Sequence, residues 1–423
     1  MPHKIYDKVA GNGLISRRYL LSIGATGIGA VASSTVLGAD AGINFEIPSW
    51  SRTPGPGASA YGAPSRHTQH FQRTHGAPNA TYPGGGSSRS PLQHLQGSIT
   101  PNSLHFERHH AGIPDIDPSG HHLVINGLVR QPLVFNYEDL LKYEMISRVY
   151  FLECAGNSGA LLRGGNEDGT AQSLHGLVSC AEWTGIPLSA LLDEAGVLPE
   201  AKWLAAVGAD AASMGRSIPI DKAIDDVIIA LFQNGEPVMP GQGFPMRLFV
   251  PGWEGNISVK WLTQIKLTRE AAQFRDETSK YSDTLHDRSS YQFTFPMGTK
   301  SLITSPSGQM SLDRPGIYQV TGVAWSGSGS IRRVEVSADG GQTWADAAIQ
   351  GLQLDKALTR FTIPWAWDGG SAVLQSRAID SLGNVQPTRD AILAERGNIS
   401  TYHNHCIQSW SVNSFGEVSN VYV

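Results

Sequence analysis

Charge is scarce in this 423-residue chain: 16% of residues are charged, and 32 Lys and Arg against 37 Asp and Glu leave a formal net charge of -5. That balance excludes the broad basic footprint of a general nucleic-acid binder, so nucleic acid is not an expected partner. Cysteine is scarcer still. Cys154, Cys180 and Cys406 are the three present, too few and too scattered for a disulfide framework. No CxxC or CxxCH pair exists for zinc or attached haem, so a cysteine with a chemical role must act alone. Glycine (47), proline (24) and tryptophan (10) are plentiful instead, which points to turns and strands more than to long charged helices. With 40% apolar residues the chain can bury a sizeable core, spread over two or three domains.

The segment Ser16-Arg17-Arg18-Tyr19-Leu20-Leu21 precedes a weakly apolar stretch, Ser22 to Leu37, rich in Gly, Ala, Ser and Thr. Paired arginines before such a stretch predict a twin-arginine signal peptide over residues 1–41, with Ala39 and Ala41 near the cut. That route carries folded proteins to the periplasm, commonly with a prosthetic group loaded beforehand, and leaves no stable membrane anchor. Residues 42–100 are rich in Pro, Gly, Ser, His and Gln. They read as an extended linker or arm that wraps a domain or a partner, or stays mobile, because they cannot bury enough apolar surface to fold alone. His67, His70, His75 and His94 fall in it without metal-ligand spacing and are read as solvated.

Regular structure is expected from about residue 101. His121 to Val129 predicts a strand and turn, and Asn136-Tyr137-Glu138-Asp139 a helix start with Asn136 as N-cap. Arg148 to Glu153 is a compact strand candidate running straight into Cys154-Ala155-Gly156-Asn157-Ser158-Gly159. A cysteine at a strand end, followed by a Gly-containing turn, suits a thiolate ligand held by loop backbone; a buried structural cysteine is the equal alternative on this pattern alone. Cys180, ahead of the helical Leu191-Leu192, is read as buried and structural.

Other segments accompany Cys154: Phe106-Glu107-Arg108-His109-His110, Val207-Gly208-Ala209-Asp210, Gly243-Phe244-Pro245-Met246-Arg247 and Ser258-Val259-Lys260-Trp261. Together they resemble the sulfite-oxidase family of molybdenum-cofactor enzymes, from about residue 104 to the end. The family's F-x-R-N-H, C-A-G-N, G-F-P-x-R and V-K-W motifs are similar to these segments, with His109 in place of asparagine. The resemblance implies molybdenum and molybdopterin as cofactors, Cys154 as metal ligand, and cofactor binding by Phe106, Glu107, Arg108, His109, His110, Asp210, Gln242, Arg247, Ser258, Val259 and Lys260. It also implies Arg108, Tyr281 and Arg396 as catalytic residues, the last reaching back to the substrate pocket. A soft thiolate suits this metal.

The chain departs from the family at two further places. It has Ser158-Gly159 where sulfite oxidases commonly place arginine, and Gln242 where they carry histidine before G-F-P. Fewer positive groups weaken selection for a free dianion such as sulfite. Within the family the sequence resembles the sulfane-dehydrogenase branch that serves thiosulfate oxidation, including Tyr402-His403-Asn404 and Ile407-Gln408-Ser409-Trp410. This implies oxygen-atom transfer to the sulfane sulfur of an intermediate bound to a sulfur-carrier protein. The chain has no flavin fingerprint or cytochrome-b5-like domain, so electrons are expected to pass to a c-type cytochrome subunit. The alternatives are a periplasmic sulfite dehydrogenase and, from another class, a cofactor-free binding protein on the same scaffold. The His403, His405 and Cys406 group is read as structural.

From about residue 296 the pattern changes to short alternating segments broken by Gly and Pro. Gly316 to Trp325, Ile331 to Ser337 and Ala372 to Asp380 read as strands, with Asp339-Gly340-Gly341 a turn. The expected fold class is thus α+β: a mixed α/β molybdopterin-binding domain of sulfite-oxidase type over residues 101–295, then an all-β immunoglobulin-like sandwich over 296–423. The resemblance assigns that sandwich to dimerisation, so a homodimer with its cytochrome subunits makes a heterotetramer.

Overall fold

The strand leading to Cys154 spans Ile146–Glu153, and its inner end, Phe151 to Glu153, is buried. Its neighbour Val178–Pro187 pairs with it antiparallel and continues through Ile228–Gln233 to Glu236–Pro237, with Arg247–Phe249 also on Ile228–Gln233. A second five-stranded sheet runs Leu133–Asn136, His122–Gly127, Leu262–Thr268, Trp203–Gly208, Gly215–Pro219. Side chains of both sheets, among them Ile125, Leu204, Ile229, Leu248 and Ile265, meet in one core. The helices are short. Tyr137–Leu140 starts on a capping box made by Asn136 and Asp139, as the N-cap pattern predicts. Leu188–Ala195 buries Leu188, Leu191, Leu192 and Ala195 and ends where Gly196 takes φ +69°.

The computed structural model describes residues 8–16, 48, 51, 54, 57–76, 83–398 and 401–423. Arg17 and Arg18, the apolar stretch after them and the expected cut near Ala39 and Ala41 lie outside the described residues. Among the described residues no helix is long and apolar enough to cross a membrane.

The second domain is an antiparallel sandwich. One sheet runs Lys300–Ser305, Gly316–Trp325, Thr359–Trp367, Ala348–Gln350; the other runs Ala345–Asp346, Ile331–Ser337, Ala372–Asp380, Ser409–Val412, Val418–Val421. Trp325, Trp365 and Trp410 are fully buried between the sheets. With all three cysteines free, no disulfide joins the two sheets, and packing holds them face to face. The molecule is an α+β protein in which strands dominate, and the immunoglobulin-like sandwich stands where strand alternation places it.

The later part of the arm is built into both domains. Gly86–Arg89 pairs with Glu107–His109, Ser90 shares a hydrogen bond with Ser179 (2.7 Å), and Leu92 and Leu95 are buried. Arg360 of the sandwich donates to the carbonyls of Leu95 and Gly97. Borrowed apolar surface orders a segment that lacks a core of its own.

Candidate active site

Cys154 stands one residue beyond its strand. Its N–H donates to the Leu177 carbonyl (3.0 Å), and its carbonyl accepts from the Asn157 N–H (2.8 Å), closing the turn. The Asn157 side chain braces that turn on two sides, donating to Glu153 (2.9 Å) and accepting from the Leu177 N–H (3.1 Å). Ser158 adopts φ +59°, and a Cβ on Gly159 would lie 1.9 Å from the Thr401 carbonyl oxygen. Glycine is therefore required where residues 401–404 cross the turn. The His403 N–H donates to the Ala155 carbonyl (2.8 Å). Beneath the turn, buried Lys300 donates to Glu153 (3.2 Å), the Ser158 hydroxyl (2.9 Å) and the Asn404 carbonyl (2.7 Å), while Trp325 donates to Glu153 (2.6 Å). The second domain thus fixes the cysteine from below and from one side.

Above the turn opens a cavity lined by Phe106, Arg108, His110, Leu152, Cys154, Met214, Arg247, Gly255, Asn256, Ser258, Val259, Lys260 and Tyr281. Strand alternation sorts the first motif: Phe106, Arg108 and His110 face the cavity, while Glu107 and His109 do not line it and pair with each other (3.2 Å). Lys260 donates to His109 Nδ1 (2.7 Å), which leaves the Nε2–H for Glu107. Burial pushes the Glu107 carboxyl up, but hydrogen bonds from His109 and Arg73 outweigh it and hold the group at about 2.

Lys260 also donates to the carbonyls of Arg108 (3.0 Å) and Gly241 (3.2 Å). Arg247 donates to the carbonyls of Gln242 (2.9 Å) and Ser258 (2.9 Å) and lies over the Trp183 ring, and its Nε has no partner among the described residues. Burial drives Arg247 down to about 9 and Lys260 well below its ordinary value. Gln242 joins the Phe106 carbonyl (2.7 Å) to Arg247 (3.3 Å), and Asp210 accepts from the Met214 N–H (3.1 Å); neither lines the cavity.

On the other wall Tyr281 shares a 2.9 Å hydrogen bond with His110 Nε2. Burial, with Arg108 nearby, pushes His110 down to about 4, and burial together with the Cys154 sulfur pushes the Tyr281 phenol up, so both are neutral near pH 7. Burial likewise raises the Cys154 thiol, against a hydrogen bond from Gly156 and the charge of Arg108. Arg396 lies away from the lining, where it donates to Asp283 (2.7 Å).

Several residues here were given no site role by the sequence. Arg216 is fully buried, pairs with Glu254 (3.2 Å) and Glu277 (3.6 Å), and sits 5.1 Å from the centre of the Tyr281 ring. Tyr402 packs on Tyr281 at 5.3 Å, and Arg89 of the arm is close enough for its charge and the Cys154 sulfur to act on each other. Each is a lone residue far along the chain from its contact.

Among the described residues the cavity lining holds Arg108, Arg247 and Lys260 but no carboxylate. A buried cation cluster with an unused guanidinium N–H calls for a bound anion, and a thiol at its edge for a soft metal. These residues fit a phosphate-bearing molybdopterin: Arg108, Arg247 and Lys260 toward its negative groups, Cys154 toward the metal.

Fold and site together define a molybdopterin-dependent oxidoreductase. Residues 110–275 match the oxidoreductase molybdopterin binding domain, and residues 291–409 the Mo-co oxidoreductase dimerisation domain. Mouse mitochondrial sulfite oxidase is 30% identical over 323 residues, 69% of this chain and 58% of that protein. The NADH nitrate reductase of Ulva prolifera is 31% identical over 282 residues, 60% of this chain and 33% of that one, so the chain spans about a third to three fifths of these relatives. The crystal structure of sulfane dehydrogenase SoxCD from Paracoccus pantotrophus superimposes with a TM-score of 0.87 and 44% identity, covering 91% of this chain and all of that one. The chain belongs to the sulfite-oxidase family of molybdenum-cofactor oxidoreductases.

Proposed function

We propose that this enzyme oxidises the sulfane sulfur of an intermediate carried on a protein, as a step of thiosulfate oxidation in the periplasm after twin-arginine export. The observation that carries this reading is the missing positive charge at positions 158, 159 and 242. The Ser158 hydroxyl is turned into the buried Lys300 network, donating to the Asn157 carbonyl (2.6 Å), and Gln242 is neutral and engaged by Phe106 and Arg247. A pocket without those cations favours a sulfur of low charge over a free dianion. The likeness to SoxCD supports the same substrate class.

Bound here, the molybdenum cofactor supplies oxygen-atom transfer and accepts two electrons. The chain's own groups do the rest. Cys154 holds the metal and is not a nucleophile. Arg108 faces the charge that grows on the oxidised sulfur, and Tyr281, braced by His110 and by Arg216 against its ring, holds a proton at its phenol oxygen. Arg396, paired here with Asp283, is assigned beside Arg108 by its likeness to the family arginine. Glu107, His109, Asp210 and Gln242 position the cationic floor from behind. Electrons leave to a separate c-type cytochrome, and the matched dimerisation domain supports a homodimer that becomes a heterotetramer with it.

The test compares cytochrome c reduction by the molybdenum-loaded enzyme with carrier-bound sulfane sulfur and with free sulfite. The expected result is a kcat/KM at least tenfold higher for the carrier-bound form; a preference for free sulfite selects the sulfite dehydrogenase alternative.

A further inference from the structure

The leader expected over residues 1–41 contains a piece of ordered structure. Residues 8–15 form a hairpin in which Lys8 bridges Ile15 and the Val9 N–H donates to the Leu14 carbonyl (2.9 Å). Its turn carries Asn12 at φ +52° and Gly13 at φ +92°, the conformation that an Asn-Gly pair favours. The hairpin is seated on the sandwich. Leu14 bridges Trp365 at the end of Thr359–Trp367, beyond the point where Ala348–Gln350 stops covering that strand. The Ala366 N–H donates to the Gly13 carbonyl (2.8 Å), the Ile15 N–H to the Pro364 carbonyl (3.2 Å), and Trp365 Nε1 to the Asn12 carbonyl (2.7 Å).

The contact reaches the other sheet as well. The Asn12 side chain donates to the Ala338 carbonyl (2.8 Å), and the Gly11 N–H to the Thr343 hydroxyl (2.7 Å). Leu14 and Ile15 are 0% and 1% exposed, and Leu14 belongs to the sandwich core with Trp325 and Trp365. A Cβ on Gly13 would lie 2.1 Å from the Ala366 carbonyl oxygen, so the approach is tight enough to require glycine. A signal segment with no structural task has no reason to bury two aliphatic side chains and match hydrogen bonds to both sheets.

We propose that residues 8–16 are a clasp that docks the export leader on the folded C-terminal sandwich of its own chain, one residue ahead of the arginine pair. The docking site is the uncovered end of Thr359–Trp367 and the slot beside Trp365. Both exist only once the two sheets have closed, so the clasp seats only on a folded chain and ties readiness for export to folding of the domain farthest from the leader in sequence. Cutting the leader releases the clasp and vacates the slot.

This inference rests on the twin-arginine reading for its purpose but not for its contact. Hydrogen exchange on the full-length precursor tests the contact: residues 8–16 and the Ala366 amide are expected to exchange at least tenfold more slowly than in a precursor carrying Leu14→Asp with Ile15→Asp. Gly13→Val, which blocks the approach without adding charge, is expected to do the same, and both variants should keep their molybdenum content and turnover. Exchange of residues 8–16 in the native precursor as fast as in a free peptide overturns the clasp. For its purpose, both clasp variants should slow export severalfold, and export at the native rate with the clasp open overturns the link to readiness. A separate precursor with Arg17→Lys and Arg18→Lys tests the leader itself: continued export removes the twin-arginine reading while slow exchange in that variant leaves the docking intact.

Discussion

At the residue scale the site is a cation cluster gathered around a space. Lys260 is buried among carbonyls and the His109 ring, without a salt bridge to a carboxylate among the described residues. Such a group costs stability in the empty protein and returns it when an anion binds. Lys260→Met keeps most of the stem's packing and removes the charge. The expected outcome is unfolding stability of the cofactor-free protein unchanged or raised, with molybdopterin retained roughly tenfold to a hundredfold more weakly, as for loss of one charged hydrogen bond worth about 1.5–3 kcal/mol. Pterin content after dialysis and urea melting of the stripped protein separate the two effects; a loss of stability equal to the loss of cofactor would make Lys260 a purely structural residue. Cys154→Ser, which swaps a soft thiolate for a weak oxygen ligand, is expected to abolish turnover while the pterin stays bound. Retained turnover would remove Cys154 as the metal ligand. These residues were legible because their chemistry sits in short local motifs. Strand alternation, which divides Phe106, Arg108 and His110 from Glu107 and His109, was equally present in the sequence, but applying it needed the strand's orientation to the cavity.

At the element scale, the turn after Ile146–Glu153 is a local object that the second domain completes. The strand and the Gly-containing turn follow from sequence pattern, as does Asn136 at its helix cap. The brace is not local: Lys300 lies 147 residues from Glu153, and Trp325 lies 172 away. No periodicity announces an ion pair across that separation, and a lysine opening a strand of the sandwich looks like any edge residue. Lys300 and Glu153 are both 1% exposed, so removing one leaves the other as an unpaired buried charge. Lys300→Met is expected to cost about 3–5 kcal/mol in denaturant unfolding. Adding Glu153→Gln should recover a large part of that loss, because the uncompensated carboxylate goes with its partner. A double variant no more stable than Lys300→Met would mean that Lys300 acts through Ser158 and Asn404 instead. The same logic explains why Arg216 escaped sequence reading and why Tyr402, noted only within a family segment, was given no place in the site: each completes an element from far along the chain.

At the scale of the whole molecule, the two-domain order and the sandwich strands were readable from the change in periodicity near residue 296, since alternation survives wherever one sheet face is buried. The seam between domains was not, and burial of titrating groups there and within the first domain decides the response to acid. His175 ends the helix Ala171–His175 and donates from Nε2 to Gln408 of the second domain (2.9 Å), and His105 lies edge-on to Trp183 at 5.7 Å. Burial lowers both to about 3, so each is neutral in the fold while an unfolded chain takes up a proton near 6.5. A folded value below the unfolded one means the unfolded state binds more protons between about 6.5 and 3, so stability rises with pH there and is lost as pH falls. Each histidine contributes a slope of up to about 1.4 kcal/mol per pH unit, whereas Glu107, with an ordinary value of 4.5, adds its share only in stronger acid. Urea unfolding between pH 7.5 and 4 should therefore steepen below about 6.5, well before carboxylates protonate. His175→Gln, able to donate to Gln408 without titrating, should flatten the slope by one histidine's worth and leave that of His105 in place. An unchanged slope in the variant would show that His175 takes up its proton within the folded seam, and that the contact between the domains yields to acid before either domain unfolds.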